Sequence, residues 1–161
     1  MNDNKLCAIL QFKDEYFFLS NFYPCSIVVK GIVFPSAEHA FQAYKCQDPE
    51  DFRRILNART PSEAKRLGRR VTLRSDWDRV KDSIMHDIVR AKFIQNSDLL
   101  HKLRKTYPLV LIEGNTWGDT YWGVDLRRPD RNAKYGFVGQ NRLGEILMTV
   151  RQELISALKL L

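Results

Sequence analysis

Apolar positions follow two rhythms along the chain, and each predicts a different element. Ile27 to Val29 and Ile32 to Phe34 are β-branched or aromatic runs separated by Lys30-Gly31, which predicts a β-hairpin. The rest of the first third reads as short strands and turns. Pro35 and Ser36 then open a helix: Ser36 suits its N-cap, and Ala37, Ala40, Phe41 and Tyr44 recur at i, i+3, i+4 and i+7. Thr60-Pro61-Ser62-Glu63 predicts a second helix start, with Thr at the cap, Pro at the first helical position and Glu closing a capping box. Gly68 sits where a C-terminal cap belongs and makes that helix short. Ser75 or Asp76 caps a long helix from about Trp77 to Ile94, with Val80, Ile84, Ile88 and Ala91 on one stripe. A further helix is expected from Leu99 to Thr106, ended by Pro108, and a short apolar strand from Leu109 to Ile112. Glu113 to Gly139 reads as a loop rich in Gly, Asp and aromatics. The last helix, Arg142 to about Lys159, is expected to bury Leu143, Ile146, Leu147, Val150, Leu154 and Leu158. Helices dominate and strands are few, so the expected class is α+β, predominantly α-helical, in a single domain spanning residues 1–161.

Composition narrows the setting. At 161 residues, with 44% apolar and 28% charged side chains, the chain can bury a core and is not globally disordered. No apolar run approaches the ~20 residues that a membrane helix needs. The MNDNKLCAIL start lacks the pattern of a secretion signal. Three widely spaced cysteines (Cys7, Cys25, Cys46) argue against a disulfide framework and make a reducing cytoplasm the expected location.

Charge is more informative. The net +7 is concentrated at residues 53–81, which hold ten basic side chains (Arg53, Arg54, Arg59, Lys65, Arg66, Arg69, Arg70, Arg74, Arg79, Lys81) against three acids; the other 132 residues balance. Such a field raises the local concentration of phosphorylated or nucleic-acid partners, and the alternative is a solvated helix face whose counter-charges lie elsewhere.

Four segments offer chemistry. Beside the apolar stripe of the helix after Pro35, Glu38, Gln42 and Lys45 recur at i, i+4 and i+7. Glu38 falls in the first turn, where free amides and the helix dipole favour a carboxylate. A carboxylate and an ammonium beside a buried stripe suit acid/base or covalent chemistry. From this segment alone an ordinary amphipathic helix with its polar face in water is the stronger alternative. The segment Glu113 to Gly123 packs Trp117, Tyr121 and Trp122 among three Gly and Asp119, giving stacking faces for a base or sugar and an acid for a ribose hydroxyl or a developing positive charge. Its alternative is an aromatic plug at a core edge. Ser20-Asn21-Phe22 supplies short polar donors. Gly139 to Gly144 puts Asn141 and Arg142 at a helix N-terminus, where they can bind an anion, although capping is the commoner reason for an Asn there. His39, His86 and His101 lack metal-ligand spacing, and no G-x-G-x-x-G, P-loop or G-x-S-x-G occurs.

Together Ser20-Asn21-Phe22, PSAEHAFQAYK, LGRRVTLRSDWDRVK and GNTWGDTYWGV with GQNRLGEILMTVR resemble the YbiA/NADAR family of N-glycosidases over about residues 12–155. The resemblance implies hydrolysis of a C–N bond at ribose C1. Family substrates are ribosylamino-pyrimidine phosphates of riboflavin biosynthesis or ADP-ribose attached to a guanine base in nucleic acid. It matches Glu38, Asp119, Trp77 and Lys45 to the family's functional positions, with Lys45 a candidate for a Schiff base to opened ribose. Trp77, Trp117 and Trp122 are then expected to stack on the base, with Tyr121 beside them. Gly68, Arg69, Asn141, Arg142 and the Ser20-Asn21-Phe22 segment are expected to bind the remainder. The full GNTWGDTYWG loop tilts the expectation mildly toward ADP-ribosyl substrates. No metal or organic cofactor is implied. Expected partners are the phosphorylated substrate and nucleic acid along residues 53–81, with no membrane. The competing reading is a non-catalytic module that binds ADP-ribose or nucleic acid in a salt-sensitive way.

Overall fold

The computed structural model describes residues 7–158. The opening MNDNKL and the expected helix end at Lys159 lie outside the described residues, as does the side chain of Leu158. The elements run β1 (Ala8–Ile9), a 3-10 helix (Asp14–Leu19), β2 (Pro24–Val29), β3 (Ile32–Ser36), α1 (Ala37–Tyr44), α2 (Pro49–Leu56), α3 (Pro61–Gly68), α4 (Trp77–Gln95), α5 (Ser97–Lys105), β4 (Val110–Leu111), β5 (Gly114–Asn115), β6 (Val124–Pro129), β7 (Phe137–Gly139) and α6 (Arg142–Leu158). Helices outweigh three small sheets, which is the expected α+β class. The chain forms two compact units. One holds residues 21–100; the other holds the described residues up to Ser20 and those from His101 onward.

In the 21–100 unit, β2 and β3 form the expected antiparallel hairpin, with Val28 opposite Val33. Lys30 and Gly31 both take positive φ (49° and 77°), the turn that matches the twist of the two strands. The open edge of β2 is closed by a side chain: Gln95 Nε2 donates to Val28 O (2.8 Å) and Val28 N–H donates to Gln95 Oε1 (2.7 Å), as a neighbouring strand would. Ile27 and Phe34 face inward and are fully buried. The burial of α4 is rotated from the expected stripe. Trp77, Met85, Ile88, Val89, Lys92 and Phe93 are buried, while Val80, Ile84 and Ala91 are only half-buried. Asp76 makes no side-chain cap to α4, because its carboxylate is engaged by Arg74 Nε and Nη2 (2.5 and 2.9 Å).

The other unit pairs β1 with β4 in parallel and builds a three-stranded sheet in the order β5-β6-β7. Part of Glu113 to Gly139 is therefore strand rather than loop, a difference from the sequence expectation. β5 has only two residues, and the alternation of β6 (VDLRRP) lasts four residues before Arg128 and Pro129 end it, so the period-2 signal is short. Leu143, Ile146, Leu147, Val150 and Leu154 of α6 are buried, as expected.

Candidate active site

The site is built around α1. Ser36, in extended conformation (φ −161°), caps the helix by accepting the His39 N–H at Oγ (3.3 Å). The same hydroxyl lies 2.7 Å from His39 Nδ1, and His39 Nε2 lies 3.0 Å from Ala58 O. A carbonyl oxygen only accepts, so Nε2 carries the proton and Nδ1 accepts from Ser36. Burial lowers the His39 pKa, opposed by the Ala58 carbonyl and by Glu63, so the ring is a neutral brace between α1 and the 57–60 turn. Asn21 completes the first turn: its backbone carbonyl accepts the Glu38 N–H (3.0 Å) and its Nδ2 reaches Met85 Sδ (3.3 Å).

This framing leaves α1 enclosed almost all round, and burial decides between the two readings of its polar stripe. Glu38 is 6% exposed and Gln42 5%, so the stripe does not face water. Gln42 Nε2 donates to Glu38 Oε1 at 2.7 Å, and Lys45 is half-buried at the helix end. Burial lowers the Lys45 pKa; Glu38 and Cys46 pull it back up, and Arg69 and Lys65 push it further down. The neighbouring Cys46 thiol is raised to about 11, chiefly by burial, and is no nucleophile at neutral pH.

Gly68 corrects a sequence expectation. It is the last residue of α3, and the C-cap is Arg69 in ordinary right-handed conformation (φ −75°). The glycine is there for space: a Cβ would overlap Gln42 Oε1 and lie 2.8 Å from Gln42 Cδ and 3.0 Å from Lys45 Cε. Trp77 also differs from expectation. Its ring is 8% exposed and packs against Phe41 (centroids 5.2 Å apart), so it backs α1 and offers little face to a base. Phe22 is half-buried with Lys65 Nζ 5.5 Å from its ring centroid, and Arg69 is exposed. Much of the basic stretch is locally paired, as Arg53–Glu50, Arg54–Asp51, Arg66–Glu63, Arg74–Asp76 and Lys81–Asp78. A cavity of about 150 Å³ lined by Asp51, Arg54, Ile55, Leu67, Arg70 and Val71 opens among these side chains.

The aromatic segment belongs to the other unit and is organised by two short side chains. Asn115, 1% exposed, accepts from the Trp117, Gly118 and Asp119 amides at Oδ1 (3.3, 3.0 and 3.0 Å) and donates from Nδ2 to Asp119 O and Val124 O. Asp119 Oδ1 accepts from the Tyr121 and Trp122 amides (3.1 and 2.9 Å). Tyr121 and Trp122 meet edge to face at 4.9 Å, whereas Trp117 is 63% exposed. Asn115 escaped the sequence reading, although an Asn heading a Gly-rich turn is its usual signature. Ser20 is half-buried and ends the 3-10 helix through its amide.

The backbone amides at the start of α6 are already engaged. The backbone amides of Gln140, Asn141, Arg142 and Leu143 donate to the carbonyls of Thr120, Gly123, Tyr121 and Trp122 (2.8–3.1 Å). Asn141 is fully buried at φ +52°; its Oδ1 accepts the Glu113 N–H and its Nδ2 donates to Leu111 O, both at 2.9 Å. It is a bracket between strand and helix, where its position suggests an anion ligand or, more commonly, a cap. Arg142 is half-buried. Among the described residues no three His, Cys, Asp or Glu side chains cluster as metal ligands, and no helix is long and apolar enough to cross a membrane.

A profile of the NADAR domain matches residues 10–155, across both units. The chain belongs to the NADAR domain family. The N-glycosidase YbiA of Escherichia coli is 38% identical over 143 residues, 88% of this chain and 83% of that protein. A riboflavin biosynthesis protein of Vibrio vulnificus is 40% identical over 143 residues; the match takes in 88% of this chain but 36% of that protein. The NMR structure of E. coli YbiA superposes with a TM-score of 0.78 at 32% identity, over 95% of this chain and 91% of that one. This NADAR chain thus shares fold and sequence with proteins named N-glycosidases, which are glycosyl hydrolases.

Proposed function

We propose that this member of an N-glycosidase family hydrolyses the bond between ribose C1 and a nitrogen of a base in a phosphorylated substrate, and that ADP-ribose on a guanine base is the preferred substrate over a ribosylamino-pyrimidine phosphate. The observation that carries the reading is the Glu38–Gln42 pair, buried on α1 with a desolvated Lys45 one turn on. Leaving of the base builds positive charge at C1. The Glu38 carboxylate stabilises that charge, and the low-polarity surroundings that strip it of water strengthen the effect. Burial enlarges the neutral fraction of Lys45, so its amine can attack C1. The C1–N(Lys) bond forms as the C1–N(base) bond breaks and the base nitrogen takes one amine proton; the ring C1–O4 bond then opens, O4 taking the second amine proton to leave the imine, and water cleaves the imine to return the amine and a free sugar. Arg69, exposed beside this pair, supplies a phosphate contact, and the arginines of 53–81 extend it to a strand.

The test is a mass-spectrometric hydrolysis assay with two substrates: an oligonucleotide bearing ADP-ribosylated guanine, and the ribosylamino-pyrimidine phosphate. Faster release of ADP-ribose supports the preference. Release of ribose 5-phosphate alone assigns the protein to metabolite clearance, and tight binding without release from either would make it a reader rather than a hydrolase.

A further inference from the structure

The Glu38–Gln42–Lys45 row contains one atom that the chemistry above does not use. Gln42 Oε1 is buried and has no hydrogen-bond partner among the described residues. Its orientation is fixed: Nε2 faces Glu38 Oε1 at 2.7 Å, and turning the amide over would set two acceptors against each other while Glu38 is ionised. An orphaned buried acceptor is costly, so a donor that a side-chain rotation can bring to it is favoured there. The stem of Lys45 passes beside it. Gln42 Oε1 and Lys45 Cε both lie within 3.0 Å of the point that a Gly68 Cβ would occupy, so the lysine stem runs alongside the amide in space that only glycine leaves free.

We propose that Gln42 is a positioning residue that couples the carboxylate to the amine, its nitrogen holding Glu38 and its oxygen accepting an N–H of Lys45. An amine nucleophile needs its lone pair free and its hydrogens anchored. A neutral carbonyl oxygen provides that anchor without holding the proton as tightly as a carboxylate would. The inference rests on the N-glycosidase reading for its purpose, but its geometry is tested without a substrate. The titratable groups facing Lys45 are Glu38 and Cys46 on the α1 side and Arg69 and Lys65 from α3. An acceptor stabilises the ammonium over the amine, so removing it moves the Lys45 midpoint down.

The experiment is reductive methylation of the full chain with 13C-formaldehyde, followed by NMR titration of the Lys45 signal, in wild type, Gln42→Met and Gly68→Ala. The methionine removes the acceptor at similar volume, and the alanine pushes the amide aside while leaving Gln42 in place. The midpoint is expected to fall by about 0.5–1 pH unit in both variants, as loss of one net hydrogen bond dictates. On a cleaved substrate, kcat is expected to fall with KM unchanged. A midpoint equal to wild type in the folded variants overturns the assignment, and either variant suffices if the other does not fold. A shifted midpoint in a protein that cleaves neither substrate sinks the hydrolase reading alone; an unshifted midpoint in an active protein sinks the Gln42 assignment alone.

Discussion

One substitution at Asn141 separates a ligand-binding residue from a bracket between strand and helix. Replacing it with Ala deprives Glu113 N–H and Leu111 C=O of partners held at 2.9 Å. Leu111 is fully buried and Glu113 half-buried, so the two orphaned groups cost about 2–4 kcal/mol together. Asn141 also sits at φ +52°, where a residue with a Cβ and no local polar group pays a further ~1–2 kcal/mol. The sum, roughly 3–6 kcal/mol, is a large share of the 5–15 kcal/mol that holds a typical domain together. Asn141→Gly removes the strain but not the lost bonds, so it should be milder than Asn141→Ala by about 1–2 kcal/mol. Urea titration followed by circular dichroism reads both, and the folded Asn141→Gly protein should keep the wild-type KM. Two variants within ~0.5 kcal/mol of wild type, with KM raised instead, would refute the bracket and restore Asn141 to the substrate.

Three further outcomes are expected. Asp119→Asn keeps an oxygen for the Tyr121 and Trp122 amides and should leave the fold intact, whereas Asp119→Ala should loosen the segment; a fall in kcat with Asp119→Asn alone would show that the charge acts in catalysis. Because burial lowers the Lys45 pKa, the unfolded chain binds more protons between the lowered value and 10.5, and stability rises with pH across that window. Lys45→Met should therefore unfold at higher urea than wild type at pH 7, with the advantage shrinking toward pH 10.5, and should lose the sugar adduct that borohydride fixes on wild type during turnover. Trp117→Ala, at a 63% exposed position, should weaken binding of a base-containing ligand while leaving the urea midpoint within error; an unchanged affinity would show that Trp117 takes no part in binding.

Much of the framework was legible because its signals are local. The hairpin followed from two β-branched runs around Lys30-Gly31, and α1 and α3 from Ser36 and Thr60, whose hydroxyls accept the amides that capping requires. Helix α2 was missed: Asp48-Pro49 is a start signal, but Ile55 is the single buried residue of its eight, so no apolar stripe announced it. The strands β5 to β7 are short and lie in a Gly-rich, charged stretch. The site was half legible. Spacing put Glu38, Gln42 and Lys45 on one face, yet it could not tell a buried face from a wet one, since that depends on what packs against it. Gly68 does not cap α3 and Trp77 packs inward, and neither follows from local spacing. Their places, against Gln42 and against Phe41, depend on pairings between residues 26 and 36 apart in sequence.

The most direct measurement is turnover of Glu38→Gln beside wild type on whichever substrate is cleaved. The substitution keeps an oxygen that Gln42 Nε2 can donate to at the same site, so helix α1 should stay in place and removal of the charge is what is tested. The account predicts an unchanged circular dichroism spectrum, unchanged sugar binding and a kcat lower by about 10²–10⁴-fold. A kcat within a few-fold of wild type in the folded variant would contradict it and move the chemistry away from α1.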